Sequence, residues 1–122
     1  MRHKIPRLKI RREFLHVARG ASVARPGVVV QARPGGAAQA LPRAGFTASR
    51  KVGNAVVRNR CKRRLRAAAS ALLPLYGRPG WDYVFIARAG TFSRRWQALL
   101  DDVRTALISV PQKSHRRGTS RG

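Results

Sequence analysis

Between Gly45 and Arg66 the sequence places Arg50, Lys51, Arg58, Arg60, Lys62, Arg63, Arg64 and Arg66, and not one carboxylate. Cations at this density, with Asn54 and Asn59 among them, suit one kind of chemistry, the gripping of a phosphate backbone. Acids in the same stretch would neutralise the site and repel the ligand. On a helix turning about 100° per residue, Arg58, Lys62 and Arg66 recur at i, i+4 and i+8 as a continuous cationic stripe. Asn59 and Arg63 lie further round, with Arg60 and Arg64 on the other flank. Like charges at that spacing destabilise an isolated helix by roughly 0.2–0.5 kcal/mol per pair. Solvated helix faces ordinarily interleave both signs, so a stripe without a compensating Glu implies an external anion. Just upstream, Arg50-Lys51-Val52-Gly53-Asn54 adds further cations and the free amides of a helix N-terminus, a ready anion site. The glycine and lysine spacing of a nucleotide-hydrolysing phosphate loop is missing.

No other residues assemble into reactive machinery. The acids are Glu13, Asp82, Asp101 and Asp102, and a protein-built two-metal site needs several converging carboxylates. Asp101 and Asp102 are adjacent on a predicted helix and point about 100° apart. His3, His16 and His115 are scattered. Cys61 has no zinc partner at a workable spacing and reads as a small apolar residue of the core seam. No nucleophile–base–orienter set exists, so catalytic residues are expected to be none.

The whole chain repeats the message of its centre. In 122 residues, 27 Lys and Arg stand against 4 Asp and Glu, a formal charge of +23. Such self-repulsion destabilises a compact state unless a polyanion is bound, and it disfavours a tight dimer. Ribosomal and other RNA-binding proteins have this balance, as do DNA-compacting proteins. A membrane surface fits less well, because no cleanly amphipathic lipid-facing segment is present. A single cysteine excludes an internal disulfide and fits a reducing compartment. Neither a signal-peptide apolar region nor about 18 consecutive apolar residues occur, so the expected location is the cytoplasm.

The elements that must position the cations can be read from periodicity. Residues 1–8 read as a flexible basic arm, 9–109 as a single α+β domain and 110–122 as a disordered basic tail. A first helix is predicted from Arg11 to Arg19, with Ile10, Phe14 and Val17 in one apolar stripe and Gly20 at its end. Strands follow at Ser22–Ala24 and Gly27–Ala32, broken by Arg25-Pro26, which marks a bend or an edge. Pro34 to Pro42 is a loop. In the strand Ala44–Ser49, period two puts Phe46 and Ala48 on one face and Thr47 and Ser49 on the other. The cationic helix is capped by Asn54 and predicted to stop at Pro74, with Val57, Cys61, Leu65, Ala68 and Leu72 toward the sheet. Trp81–Arg88 has the composition of a central strand. Trp96, Leu99, Leu100, Val103 and Leu107 form the stripe of a last helix predicted over Ser93–Ile108. Phe46, Phe85, Trp81 and Trp96 are assigned to the core, and Phe14 either to the core or to base stacking.

The run from Gly45 to Arg60, followed by Lys62-Arg63 and Arg66, resembles the most recognisable stretch of the protein subunits of bacterial ribonuclease P. Arg7-Leu8, Glu13-Phe14, Val17, Gly20 and Asp82–Arg88 agree in order, so the resemblance spans residues 7–108. It implies an α-β-β-β-α-β-α order on a four-stranded mixed sheet, as in the second domain of ribosomal protein S5, with a left-handed crossover around the basic helix. About 98 % of such crossovers are right-handed, so no pattern in the sequence would predict that hand. The resemblance further implies an accessory subunit of an RNA-catalysed endonuclease that removes the 5′ leader of precursor tRNA. The catalytic RNA would be its partner, no protein partner would be obligatory, and Mg²⁺ would be held mainly by the RNA. The implied contacts to that RNA are Arg58, Asn59, Arg60, Lys62, Arg63 and Arg66, to which the anion site of the preceding loop adds Arg50, Lys51 and Asn54 as expected RNA-binding residues. Phe14, Thr47 and Ser49 would line a cleft for the leader. Ala18 and Gln31 stand where cleft aromatics occur in the family, which moves leader recognition toward hydrogen bonds and charge. The alternative is a non-catalytic structural RNA-binding protein of ribosomal type.

Overall fold

The computed structural model describes residues 5–35 and 40–119 of the chain, with side chains through 113. Seven elements succeed one another: α1 (Arg11–Ala18), β1 (Ala21–Arg25), β2 (Val28–Pro34), β3 (Arg43–Thr47), α2 (Ala55–Tyr76), β4 (Trp81–Ile86) and α3 (Trp96–Thr119). The sheet order is β1-β2-β4-β3. β1/β2 and β2/β4 are antiparallel and β3/β4 parallel, so the sheet is mixed and α2 is the crossover between the parallel pair. Pro26 and Gly27 form the turn of the first hairpin, and β1 is an edge strand, the position a neighbouring proline anticipates.

β4 sits inside the sheet and is covered on both faces, which is why Asp82, Tyr83, Val84 and Phe85 are all buried. One face carries the larger core, where Val28, Val30, Tyr83 and Phe85 meet Cys61 and Leu65 of α2 and Leu99, Val103 and Leu107 of α3. α1 covers part of the opposite face, burying Val17 with Leu8 and Val84 against Phe14 and Ile86. Desolvation pushes the Cys61 thiol above its ordinary pKa, the behaviour of a packing residue.

Three expectations are corrected. From Ile5 onward the basic arm is seated on the sheet edge. Ala44 N–H donates to the Pro6 carbonyl at 2.9 Å and Leu8 N–H to the Ala44 carbonyl at 3.0 Å, so the free edge of β3 is satisfied. Pro74 does not stop α2, which runs to Tyr76 with Gly77 N–H donating to the Leu73 carbonyl at 2.7 Å. Its missing N–H costs one bond near the helix end, while buried Leu73 and half-buried Tyr76 anchor the last turn. Likewise α3 begins at Trp96, three residues after Ser93, and continues past Ile108 and Pro111 to Thr119. Val110 and Pro111 are buried and the Lys113 ammonium donates to the Ser22 carbonyl at 3.0 Å, which holds the helix on the sheet beyond the proline. The remaining parts of the expected arm, loop and tail, residues 1–4, 36–39 and 120–122, lie outside the described residues.

Candidate nucleic-acid interface

The cationic helix is launched by a tightly specified turn. A short 3₁₀ turn, Arg50–Val52, brings the chain to Gly53 at φ 154°, a conformation side-chain-bearing residues rarely adopt. A Cβ there would also lie 2.8 Å from Val57 Cγ1, so glycine is required twice over. Asn54 then caps α2, its Oδ1 accepting from Val57 N–H at 3.0 Å. Cys61, Leu65, Ala68, Ala69 and Leu73 face the core, while Val57 and Leu72 are only half-buried.

With that seam fixed, the other side of the helix is cationic by geometry. Arg50, Lys51, Asn54, Asn59, Arg60, Arg63 and Arg66 are exposed, and Arg58 and Lys62 are half-buried beside the seam. None of these cations takes part in an ion pair among the described residues. Arg58 Nε is buried without a hydrogen-bond partner.

The acids are spent elsewhere. Arg43 binds Asp82 through two bonds, Nε at 2.9 Å and Nη2 at 2.8 Å, and reaches Glu13 Oε2 with Nη1 at 2.9 Å. Glu13 also accepts from the Lys9 and Ile10 N–H groups, capping α1 where Ile10 cannot. These backbone bonds, then Arg43, hold the Glu13 carboxyl below its ordinary pKa. Asp102 is buried, accepting from Gly27 N–H at 2.9 Å and from Arg94 Nε at 2.6 Å, while Asp101 pairs with Arg104 at the surface. Among the described residues no three His, Cys, Asp or Glu side chains come together as a metal-holding group.

Arg64 belongs to the same run of sequence but not to the open face. Its guanidinium donates to the carbonyls of Thr91, Phe92 and Arg94, clipping the β4–α3 connection onto α2. The side chain of Thr91 continues the clamp, donating to the Gly27 carbonyl at 2.7 Å. Trp96 is a correction: assigned to the core, it is 40 % exposed at the start of α3, because the stripe that packs begins one turn later at Leu99.

The proposed leader residues lie on the α1 side of the sheet. The Phe14 ring is pressed onto Gly45, where a Cβ would sit 2.6 Å from Phe14 Cζ, so a bare glycine makes room for it. Phe14 is half-buried there and contributes to the smaller core. Thr47 is in register with Ile86, and Ile86 with Val29, giving a half-buried row across three strands. Ser49 falls outside this row, because β3 ends at Thr47 and Ser49 instead opens the 3₁₀ turn, exposed. Strand alternation therefore does not place it, whereas it does place Thr47.

A family model, Ribonuclease P, matches residues 3–110. The chain belongs to that family. It is 51 % identical over 116 residues to the ribonuclease P protein component of Caulobacter vibrioides, covering 95 % of this chain and 78 % of that protein. With the ribonuclease P protein component of Ruegeria pomeroyi it shares 54 % identity over 102 residues, 82 % of each. Among solved structures, the ribonuclease P protein from Thermotoga maritima superposes with a TM-score of 0.73 at 27 % identity, covering 85 % of this chain and 96 % of that one. The Staphylococcus aureus protein gives 0.70 at 25 % identity over 91 % and 99 %. The α+β fold with its four-stranded sheet is thus that of bacterial ribonuclease P proteins. No helix among the described residues is long and apolar enough to cross a membrane.

Proposed function

We propose that the chain is the accessory subunit of a ribonucleoprotein endonuclease that removes the 5′ leader of precursor tRNA in the cytoplasm. Its α2 face binds the catalytic RNA through Arg50, Lys51, Asn54, Arg58, Asn59, Arg60, Lys62, Arg63 and Arg66. The observation that carries this is the cationic face of α2 in a chain of this family: every Asp and Glu is engaged by an arginine elsewhere, and these cations have no carboxylate partner among the described residues. Phe14, Thr47 and Ser49 are assigned to the single-stranded leader. The half-buried row of Thr47, Ile86 and Val29 supports Thr47 most, since it offers an extended strand an apolar floor with a hydroxyl at its rim.

Mg²⁺ belongs, in this proposal, to the RNA. The chain's carboxylates are tied to Arg43, Arg94 and Arg104, and where two of them meet, Glu13 and Asp82, the Arg43 guanidinium already lies between them, so they do not fit a protein-held ion. What the chain supplies is charge neutralisation that lets RNA segments approach, and orientation of the substrate relative to the RNA's own reactive groups. The test is cleavage of precursor tRNA by the catalytic RNA from the same genome at low Mg²⁺. The expected result is a clear gain in cleavage on adding the chain, and none from the chain alone. Unchanged cleavage with intact RNA binding would leave a structural RNA-binding protein of ribosomal type.

A further inference from the structure

The connection between β4 and α3 presents two aromatic rings that the core does not use: Phe92 is 39 % exposed and Trp96 40 %. Each is paired with an arginine of α2. The Arg60 guanidinium carbon lies 5.4 Å from the Phe92 ring centroid, and that of Arg64 lies 6.0 Å from the Trp96 ring. Arg64 also holds the carbonyls of Thr91, Phe92 and Arg94, so the rings are fastened to the same helix that carries the open cations.

We propose that this edge is a second RNA-contact patch, in which an unpaired base stacks on Trp96 beside a phosphate held by Arg60. The inference rests on the RNA-binding reading of α2 and extends that surface around the helix. A guanidinium lying over a ring keeps its N–H groups in its own plane, so Arg60 can stack on Phe92 and still present donors to a phosphate. Next to Trp96 an open hollow of about 390 Å³ is lined by Arg95, Trp96, Gln97 and Ala98. It offers a cation and an amide at the edge of the ring, the groups that address a base edge and its phosphate. The carboxylates of this region are neutralised, Asp102 by Arg94 and Asp101 by Arg104. An unpaired nucleotide suits the patch better than a duplex, because A-form helices hide base faces that loops and bulges expose.

The full-length chain carrying Trp81→Phe leaves Trp96 as its only tryptophan, and its emission is followed during titration with the catalytic RNA of ribonuclease P. Quenching by that RNA, and none by heparin at equal charge, is expected from a stacked base. In parallel, Trp96→Ala is expected to weaken RNA binding roughly tenfold. Its salt dependence should stay unchanged, since a stacked ring releases no counterions, and Trp96→Phe should recover most of the affinity. Arg58→Ala, by contrast, should flatten the salt dependence by about one phosphate contact. Absence of quenching overturns the patch whatever the fold of the alanine variant, because that measurement leaves Trp96 in place. Full affinity of Trp96→Ala with a weakened Arg58→Ala also overturns it and spares the α2 reading. Full affinity of both removes the α2 reading and this patch together.

Discussion

Two regions of the chain treat the same residue type in opposite ways. At the joints between elements, Arg43, Arg64 and Arg94 are engaged by carboxylates or backbone carbonyls. Along the outer face of α2, Arg58, Arg60, Arg63 and Arg66 have no ion-pair partner among the described residues. The difference shows how a chain of +23 folds at all. Three of its four acids, Glu13, Asp82 and Asp102, tie α1, the first hairpin and α3 to the sheet, while the cationic run of α2 is left without a carboxylate. If the proposed reading of α2 holds, stability and RNA binding are carried by different arginines and can be separated experimentally.

The largest effect is expected at the joints. Asp102→Ala strips the buried acceptor of Gly27 N–H and Arg94 and should lower unfolding free energy by about 2–4 kcal/mol in denaturant titration. Arg64→Ala, which frees three carbonyl contacts at the β4–α3 connection, should cost about 2–3 kcal/mol by the same measurement. A loss equal to that of Arg63→Ala, under about 0.5 kcal/mol, would erase the distinction between joint and face. On the open face the pattern reverses. Arg58→Ala or Lys62→Ala should leave stability nearly unchanged and weaken binding to the catalytic RNA by about 1–3 kcal/mol, measured at moderate salt.

Acid sharpens the comparison further. The Glu13 carboxyl has a folded pKa below its ordinary value of 4.5, so its contribution is present above that value. It is lost as the pH falls through the folded pKa. Melting temperatures of the native chain and of Glu13→Gln should therefore differ near neutrality and draw together only as the pH falls below 4.5 and through the lowered folded pKa. A constant gap across that range would show that the contact acts through packing instead. Asp101→Asn, at an exposed pair with Arg104, should move stability by no more than about 0.5 kcal/mol.

Local order explains what could be read in advance. Asn54 caps α2 because an Asn side chain reaches its own backbone a few residues on, with no distant partner needed. The i, i+4 stripe of Arg58, Lys62 and Arg66 and the apolar run of β4 likewise follow from single-element periodicity. The predicted helix ends at Pro74 and Ile108 fall short for the complementary reason: Pro74 and Pro111 are each disfavoured locally, and burial of Leu73, Val110 and Pro111 itself outweighs the lost hydrogen bond. Trp96 misled because a stripe five residues long has an end, and where it leaves the core depends on the neighbouring elements.

The sequence alone determined that a carboxylate-free cationic helix exists, where it begins and which of its faces packs, because charge and periodicity are properties of neighbours along the chain. Only the tertiary structure decided which arginines are open. Arg63 and Arg64 are adjacent and chemically identical, yet the carbonyls that occupy Arg64 lie 27 to 30 residues away and come within reach only once β4 is in the sheet. Contacts of that separation leave no periodic trace in the order of residues, so the cationic helix could be located from the chain while the division of labour among its arginines could not.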